Sequence, residues 1–441
     1  MSESTLELYR QAFHSLARTL PGAELAWLRA ARRRAFERFE KLGFPGTRLE
    51  DWKYTDVAAI AGGAWHFTSP RGDDADVSSI VDELVVEKTA ARLVFVNGRH
   101  APKLSRAQSL PDGVFVGSLT RALREIPEQL EPAMGHETPK DGFAALNAAF
   151  VSDGYVVVLP RDCRLEQPLQ MLFVTDEAGL AMHPSNVVLA APGAQCTVVE
   201  QFAGVADDAY LTNVVTRIVA QEQAQIEHCR IQHEAKRSFH IGHLDIVGQR
   251  ASRVVSHSFA FGAALSRVQI DADLAAADAY AELDGLYFLR GRQHADHHTR
   301  IDHEYPRGTS RQYYRGVLDG ASRGVFNGRV VVHQDAQRTD THQSNHNLLL
   351  SADAEIDTKP QLEIYADDVK CTHGATVGRL DENQLFYLRA RGIDEAAARA
   401  CLLEAFARDV LERVSNERLR DKLTGILLAR MPGAQQGWSR P

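Results

Sequence analysis

From Tyr155 to about Val377 the chain offers one short strand-like run after another and almost no helix signal. The runs include Val156-Val157-Val158-Leu159, Leu172-Phe173-Val174, Val187-Val188-Leu189, Val214-Val215, Val330-Val331-Val332 and Leu348-Leu349-Leu350. Between them a small residue at a turn is followed by an alternating strand, starting at Ala194, Ala224, Ala251, Ala279, Ala321 and Ala354. The first four copies are spaced by roughly 27–30 residues and the later ones by more, and periodicity at this length marks a repeat architecture. A parallel sheet wound with helices is excluded, because its crossovers need helical segments. A solenoid, in which each coil pairs its strands with the coil before, satisfies the backbone instead, and small alanines suit its tight corners. On this pattern alone a β-sandwich stays open.

The flanks read differently. Between Leu6 and Leu42, Leu8, Phe13, Leu16, Leu20, Leu25, Leu28, Phe36 and Phe39 fall near helical spacing, broken at Pro21-Gly22 and again at Gly43 to Gly46. Arg48 to Thr55 is a charged and aromatic cluster, read either as helix-end packing or as a ligand contact. Leu93 to Val96 reads as a strand turning at Asn97-Gly98, a hairpin signal. Pro127, Pro132 and Pro139 limit helix length in the passage to Phe150. From about Asp381 the helical period returns: Asp394 can cap a helix with the stripe Leu402, Leu403, Phe406, Val410, Leu411 and Val414. Such helices would cap the open end of a solenoid, dock a partner, or both. The expected organisation is thus a helical and mixed region over 1–150, a β core over 151–378 and a helical region over 379–441.

A net charge of −8 provides no basic field for a phosphate backbone, which argues against a nucleic-acid partner. Nothing approaches the roughly 18 apolar residues of a membrane span, and Met1 to Arg10, with Glu3 and Glu7, does not read as a signal peptide. The five cysteines are scattered and never paired as CxxC, so a reducing cytoplasm is expected rather than a disulfide framework or structural zinc.

Two segments could carry chemistry. In Arg292 to Glu304, residues two apart on a strand share a face, so His294, Asp296 and His298 point one way and could bind a divalent transition metal. The plainer reading is a polar stack along the coils. In Asp367 to Gly374, Cys371 and His373 share a side, a soft pair for iron or zinc, with Lys370 placed to favour the thiolate. Two ligands do not close a site, so a second chain would have to complete it; a structural cysteine is the alternative. A carbohydrate-active β-helix would need paired acids, but Asp367 and Asp368 point to opposite sides if extended. Phosphate-loop, dinucleotide, HExxH and GxSxG motifs are all absent.

The segments Asn345 to Ser351 and Ala354 to Thr376 closely resemble the SufB/SufD family of iron–sulfur cluster assembly scaffold proteins. Gly316-Val317-Leu318, Gly324 to Gly328 and Asp296 to Thr299 resemble it too, and Arg48 to Thr55 is similar to the SufD branch. The likeness is dense from about Ser185 to Val414. It implies a right-handed parallel β-helix between helical ends, and a non-enzymatic subunit of a cytosolic SufB–SufC–SufD complex supporting de novo cluster formation and iron acquisition. It further implies that a SufC-like ABC ATPase docks on the helices between about Asp381 and Met431, where Leu402, Phe406, Val410 and Arg413 are candidate contacts. A SufB-like subunit would pair through the β-helix near the Cys-x-His segment. His373 would then help hold a nascent cluster, with Cys371 as the neighbouring thiol. No cofactor is expected to stay bound to the chain alone: the cluster would be transient and a reduced flavin would belong to the complex, since no flavin motif is visible. The shortness of the chain and the lack of any cysteine before Cys163 favour SufD over SufB. A homodimer is expected to be open to the chain when its partner is missing. A metal-dependent enzyme using His294, Asp296 and His298 is the alternative function.

Overall fold

In the computed structural model, which describes residues 3–68, 77–135, 138–205 and 208–431, the chain winds alternately through two parallel sheets for about eight coils. The first sheet stacks Leu169–Thr175, Gln195–Gly204, Gln225–His233, Arg253–Ala260, Tyr280–Leu289, Thr309–Leu318, Asp340–Leu349 and Lys370–Gly378. The second runs through Tyr155–Leu159, Ser185–Ala190, Leu211–Ala220, Phe239–Gly248, Leu265–Leu274, His294–His303, Arg323–Val332 and Glu355–Ile364. This is the expected β-solenoid between helical ends, and its parallel winding rules out the sandwich. Positions 432–441 of the expected C-terminal region lie outside the described residues.

The corners explain the repeat. Entry into the first sheet passes through a residue with positive φ, at Gly193, Gln223, Ala251, Asp278, Arg307 and Arg338. A small residue follows each: Ala194, Ala224, Ser252, Ala279, Gly308 and Thr339. The left-handed backbone turns the chain inward, and only a short side chain fits behind it. Ala321 and Ala354 instead precede strands of the second sheet. The step from Ala279 to Ala321 is therefore a switch of sheet, while the step from Ala321 to Ala354 stays within the second sheet and spans a longer coil.

Inward-facing side chains form a continuous apolar core, from Leu93 and Met171 through Val214, Leu244, Ile270 and Leu283 to Val330. Polar groups interrupt it where they can satisfy one another. Glu200 accepts hydrogen bonds from Tyr155 Oη at 2.6 Å and Thr216 Oγ1 at 2.7 Å, and meets His228 at 3.3 Å. Burial would raise this carboxyl, but the charge of His228 and the bonds around it hold it at about 2.

The two ends of the stack differ. Near its start, Ala91–Val96 adds to the first sheet parallel to Leu169–Thr175, and Phe115–Ser118 pairs antiparallel with Tyr155–Leu159. The Asn97-Gly98 turn has φ of 50° and 77°, as a type I′ hairpin requires. Helices Glu3–Leu16, Ala26–Leu42 and Gly142–Phe150 cover the outer face of the second sheet, packing Tyr9, Phe13, Phe36 and Phe39 with Leu211, Ile241 and Leu265.

The C-terminal helices Glu382–Ala390, Glu395–Leu411 and Glu417–Leu428 do not cap the far end. Asp394 caps the second of them as expected, accepting from Ala397 N at 3.0 Å. That helix lies along the flank, setting Leu403, Ala407 and Val410 with Cys229, Phe259, Leu286, Phe288 and Val317 of the first sheet. An outer sheet face this apolar must be covered, and the helical stripe serves that need. Among the described residues, no helix is long and apolar enough to cross a membrane.

A Cβ on Gly316 would strike the Tyr287 ring on one side and Asn347 Oδ1 on the other. Gly316→Ala is therefore expected to cost about 1–3 kcal/mol by overpacking, read as a lowered urea midpoint with unchanged slope.

Candidate functional site

Among the described residues, no strand or helix pairs with the outer edge of the last coil. Glu355–Ile364 and Lys370–Gly378 end their sheets, each with one edge unpaired. The edges are unequal. Pro360, paired opposite Gly328, removes a backbone donor from the first of these strands, and Glu355, Asp357, Lys359 and Glu363 charge it. Lys370–Gly378 has no proline and a single charged residue at its start. Around this end Tyr365 is 63% exposed and Val377 49%. The chain then enters helix Glu382–Ala390, where Phe386 is 75% exposed.

Cys371 and His373 occupy this edge strand on the side that faces inward, stacked on Thr341 and Gln343 of the coil before. Cys371 is half-buried against the interior core and His373 is exposed. Burial, and after it the negative charge of Asp340, pushes the Cys371 thiol up. The expected help from Lys370 toward a thiolate is thus outweighed. Among the described residues no group of three or more His, Cys, Asp or Glu side chains is placed to hold a metal ion.

The His294–His298 segment has a different occupation. Asp296, almost fully buried, forms an ion pair with Arg267, meets His298 Nε2 at 3.0 Å and accepts from Thr55 Oγ1 at 2.5 Å. Thr55 also lies 3.1 Å from His294 Nε2, and the Arg267 guanidinium sits 3.9 Å from the centre of the Trp52 ring. Glu50 reaches Lys359 of the last coil at 2.6 Å. The Arg48–Thr55 cluster and the histidine segment thus meet each other, clamping the N-terminal region to the second sheet. Burial would raise Asp296, but Arg267, then His298 and Thr55, hold it far below the usual carboxylate range. With its charge spent on Arg267, Asp296 does not favour the metal-enzyme alternative. Asp367 and Asp368 lie at a bend between strands, not on a catalytic face.

The four candidate docking residues are divided. Val410 is buried against the first sheet, and Arg413 bonds Glu282 Oε1 at 2.9 Å while lying 3.5 Å from the centre of the Tyr313 ring. Leu402 and Phe406 are half-buried, with the Arg315 guanidinium 4.7 Å from the centre of the Phe406 ring. Sequence reading missed the tether beneath these helices. Ser415 N donates to Glu227 Oε1 at 2.8 Å and its hydroxyl also bonds that carboxylate. Behind Glu227, His257 lies 3.3 Å away and faces Asp284 at 3.1 Å on its other side. Only the outward position of Glu227, His257 and Asp284 on neighbouring strands could have signalled it, and that requires the coil register.

These features define a β-solenoid protein with both flanks clad in helices and, among the described residues, one end bare. The chain matches the SUF system FeS cluster assembly, SufBD core domain over residues 173–406 and the SufBD protein N-terminal region over 3–171. It is 33% identical to an iron–sulfur cluster assembly SufBD family protein of Synechocystis sp., covering 91% of each chain. It is 31% identical to the iron–sulfur cluster assembly protein SufD of Escherichia coli, over 89% of this chain and 90% of that one. Protein ABCI7, chloroplastic, of Arabidopsis thaliana is 30% identical over 86% of this chain and 81% of its own. The chain belongs to the SufBD family of iron–sulfur cluster assembly proteins and is SufD-like.

Two outcomes follow from the buried charges. Arg267→Met leaves Asp296 without its cation and is expected to cost about 3–5 kcal/mol, measured by urea unfolding; unchanged stability with a lost bound metal would favour the metal reading. For His257, burial alone would lower the imidazole, but Asp284 and Glu227 outweigh it and raise it to about 9. Its stabilisation is fully present below pH 6.5 and lost as pH rises through 9, a swing of about 3 kcal/mol. The stability gap between wild type and His257→Gln should therefore narrow between pH 6.5 and 9.5.

Proposed function

We propose that the chain is a non-enzymatic scaffold subunit that docks a SufB-like subunit at its bare end and a SufC-like ABC ATPase through its C-terminal helices. The observation that carries the reading is the uncovered last coil. A parallel strand edge with exposed Tyr365 and Val377 beside it is a surface that a soluble chain ordinarily protects. A partner built on a similar solenoid continues the stack there and supplies the backbone groups the last coil lacks. The same surface lets a second copy of this chain dock when that partner is missing.

At this junction the exposed His373 imidazole and the half-buried Cys371 thiol face the joint from one side. A nascent iron–sulfur cluster is the cargo, held between His373 and ligands of the partner, with Cys371 as the adjacent thiol. The closed arrangement forms only in the complex, which is where de novo assembly and iron acquisition take place; a reduced flavin, where it takes part, belongs to that complex. The ATPase contacts the outer side of the helical layer, toward Leu402 and Phe406, while Val410 and Arg413 keep that layer on the solenoid. The cytoplasm is the compartment this reading requires.

Coexpression with the two partners tests it. The full chain should recover both, and a chain ending before Asp381 should lose the ATPase while keeping the SufB-like subunit. His373→Ala should assemble normally but reduce cluster yield of the purified complex several-fold, read by visible absorbance and iron content. Recovery of neither partner by the full chain removes the scaffold reading, and full cluster yield from His373→Ala removes the ligand role.

A further inference from the structure

Away from the bare end, a cleft of about 790 Å³ opens where the solenoid corners meet the end of the last helix. Its apolar side includes Ile80 and Leu84 of helix Ser78–Leu84, together with Val205. Its other side carries Lys236, Arg290, Arg292 and Arg430. Among the described residues, none of these four cations forms an ion pair, although the charge of Asp319 acts on Arg290, where burial outweighs it. Corner arginines elsewhere do: Arg250 pairs with Glu222, Arg307 with Asp278 at 2.6 Å, and Arg253 with Glu282 at 3.4 Å. Glu234 also lines the cleft but is already engaged by His240 at 2.6 Å, Thr212 at 2.6 Å and Gln232 at 3.0 Å. Glu83 is the remaining acid of the lining, and its charge acts on Lys422.

The guanidinium groups are also held in place. Arg430 lies 5.4 Å from the centre of the Phe261 ring and Arg290 lies 5.5 Å from that of Phe288. The Nε of Arg290 is buried with no hydrogen-bond partner. Burial, and after it the charge of Arg290, lowers Arg430. Two partly buried like charges side by side cost free energy that an anion between them would recover. Guanidinium forks match phosphate oxygens in pairs, and a cleft of this size suits a cofactor-sized molecule rather than a bare ion. We propose that this cleft binds a small organic phosphate, its phosphate groups between Arg290 and Arg430 and its apolar part against Leu84 and Val205. The cleft lies apart from the bare end and from Leu402 and Phe406, and shares with the proposed docking region only Arg430, just past the end of its last helix.

Calorimetric titration of the full chain with ADP, inorganic pyrophosphate and adenosine tests it. ADP should bind saturably, pyrophosphate more weakly, and adenosine not measurably. The double variant Arg290→Gln, Arg430→Gln should lose about tenfold or more in affinity, the loss of one or two charge-assisted hydrogen bonds. Its thermal midpoint should stay near that of the wild type. Should that pair disturb folding, the rim variant Arg292→Gln, Lys236→Gln should weaken ADP about threefold through charge alone. No saturable heat from ADP or pyrophosphate at millimolar concentration overturns the assignment. So does binding that neither pair of substitutions changes, or adenosine binding as tightly as ADP.

Discussion

Strand stacking is the interaction on which the rest of this structure depends. Each coil gives its backbone donors and acceptors to the coils on either side, so the interior needs no helices and no disulfides, and the five cysteines are free. The cost falls at the boundaries. Near the start, strands Ala91–Val96 and Phe115–Ser118 supply the missing partners. The outer faces are apolar enough to require cladding, and helices from both termini provide it. What is left over is the last coil, and the chemistry-bearing pair Cys371 and His373 lies there because the stack stops there.

The two claddings are fixed by buried charge as well as by apolar contact. On the second sheet, Asp296 gathers Arg267, His298 and Thr55, with Trp52 over the arginine. On the first, Glu227 and Asp284 flank His257, and Ser415 ties the helical layer to that set. Apolar surfaces alone would let a helix slide along a repetitive sheet, since successive coils look alike. A charged group that is satisfied at one coil and stranded at the next selects a single position. This gives a physical reason for ionisable side chains inside interfaces that are otherwise oily.

Much of the architecture was legible in the residues. The alanines at 194, 224 and 279 mark real corners, and Asn97-Gly98 and Asp394 form the turn and the cap their chemistry suggests. The irregular spacing after Ala279 hid a change of sheet, because the two corners use the same small residues. The placement of the C-terminal helices could not be read, since their stripe fits a flank as well as an end. The histidine segment looked like a ligand set because strand alternation places His294, Asp296 and His298 together. That alternation says nothing of Arg267, which arrives from the preceding coil 29 residues earlier. That Arg290 and Arg430 form no ion pair among the described residues was equally hidden, because an absent partner has no signature in a linear sequence.

The stacking also grades the molecule in time. An inner coil can open only by breaking hydrogen bonds on both of its sides, whereas the last coil is held on one, so amide exchange should quicken toward Lys370–Gly378. The strand that carries Cys371 and His373 is then the part of the solenoid that breathes most when the chain is alone. Adding a further layer of strands would slow that breathing and sharpen the positions of both side chains at once. Order at this edge is therefore something the free chain lends out incompletely and a neighbour completes.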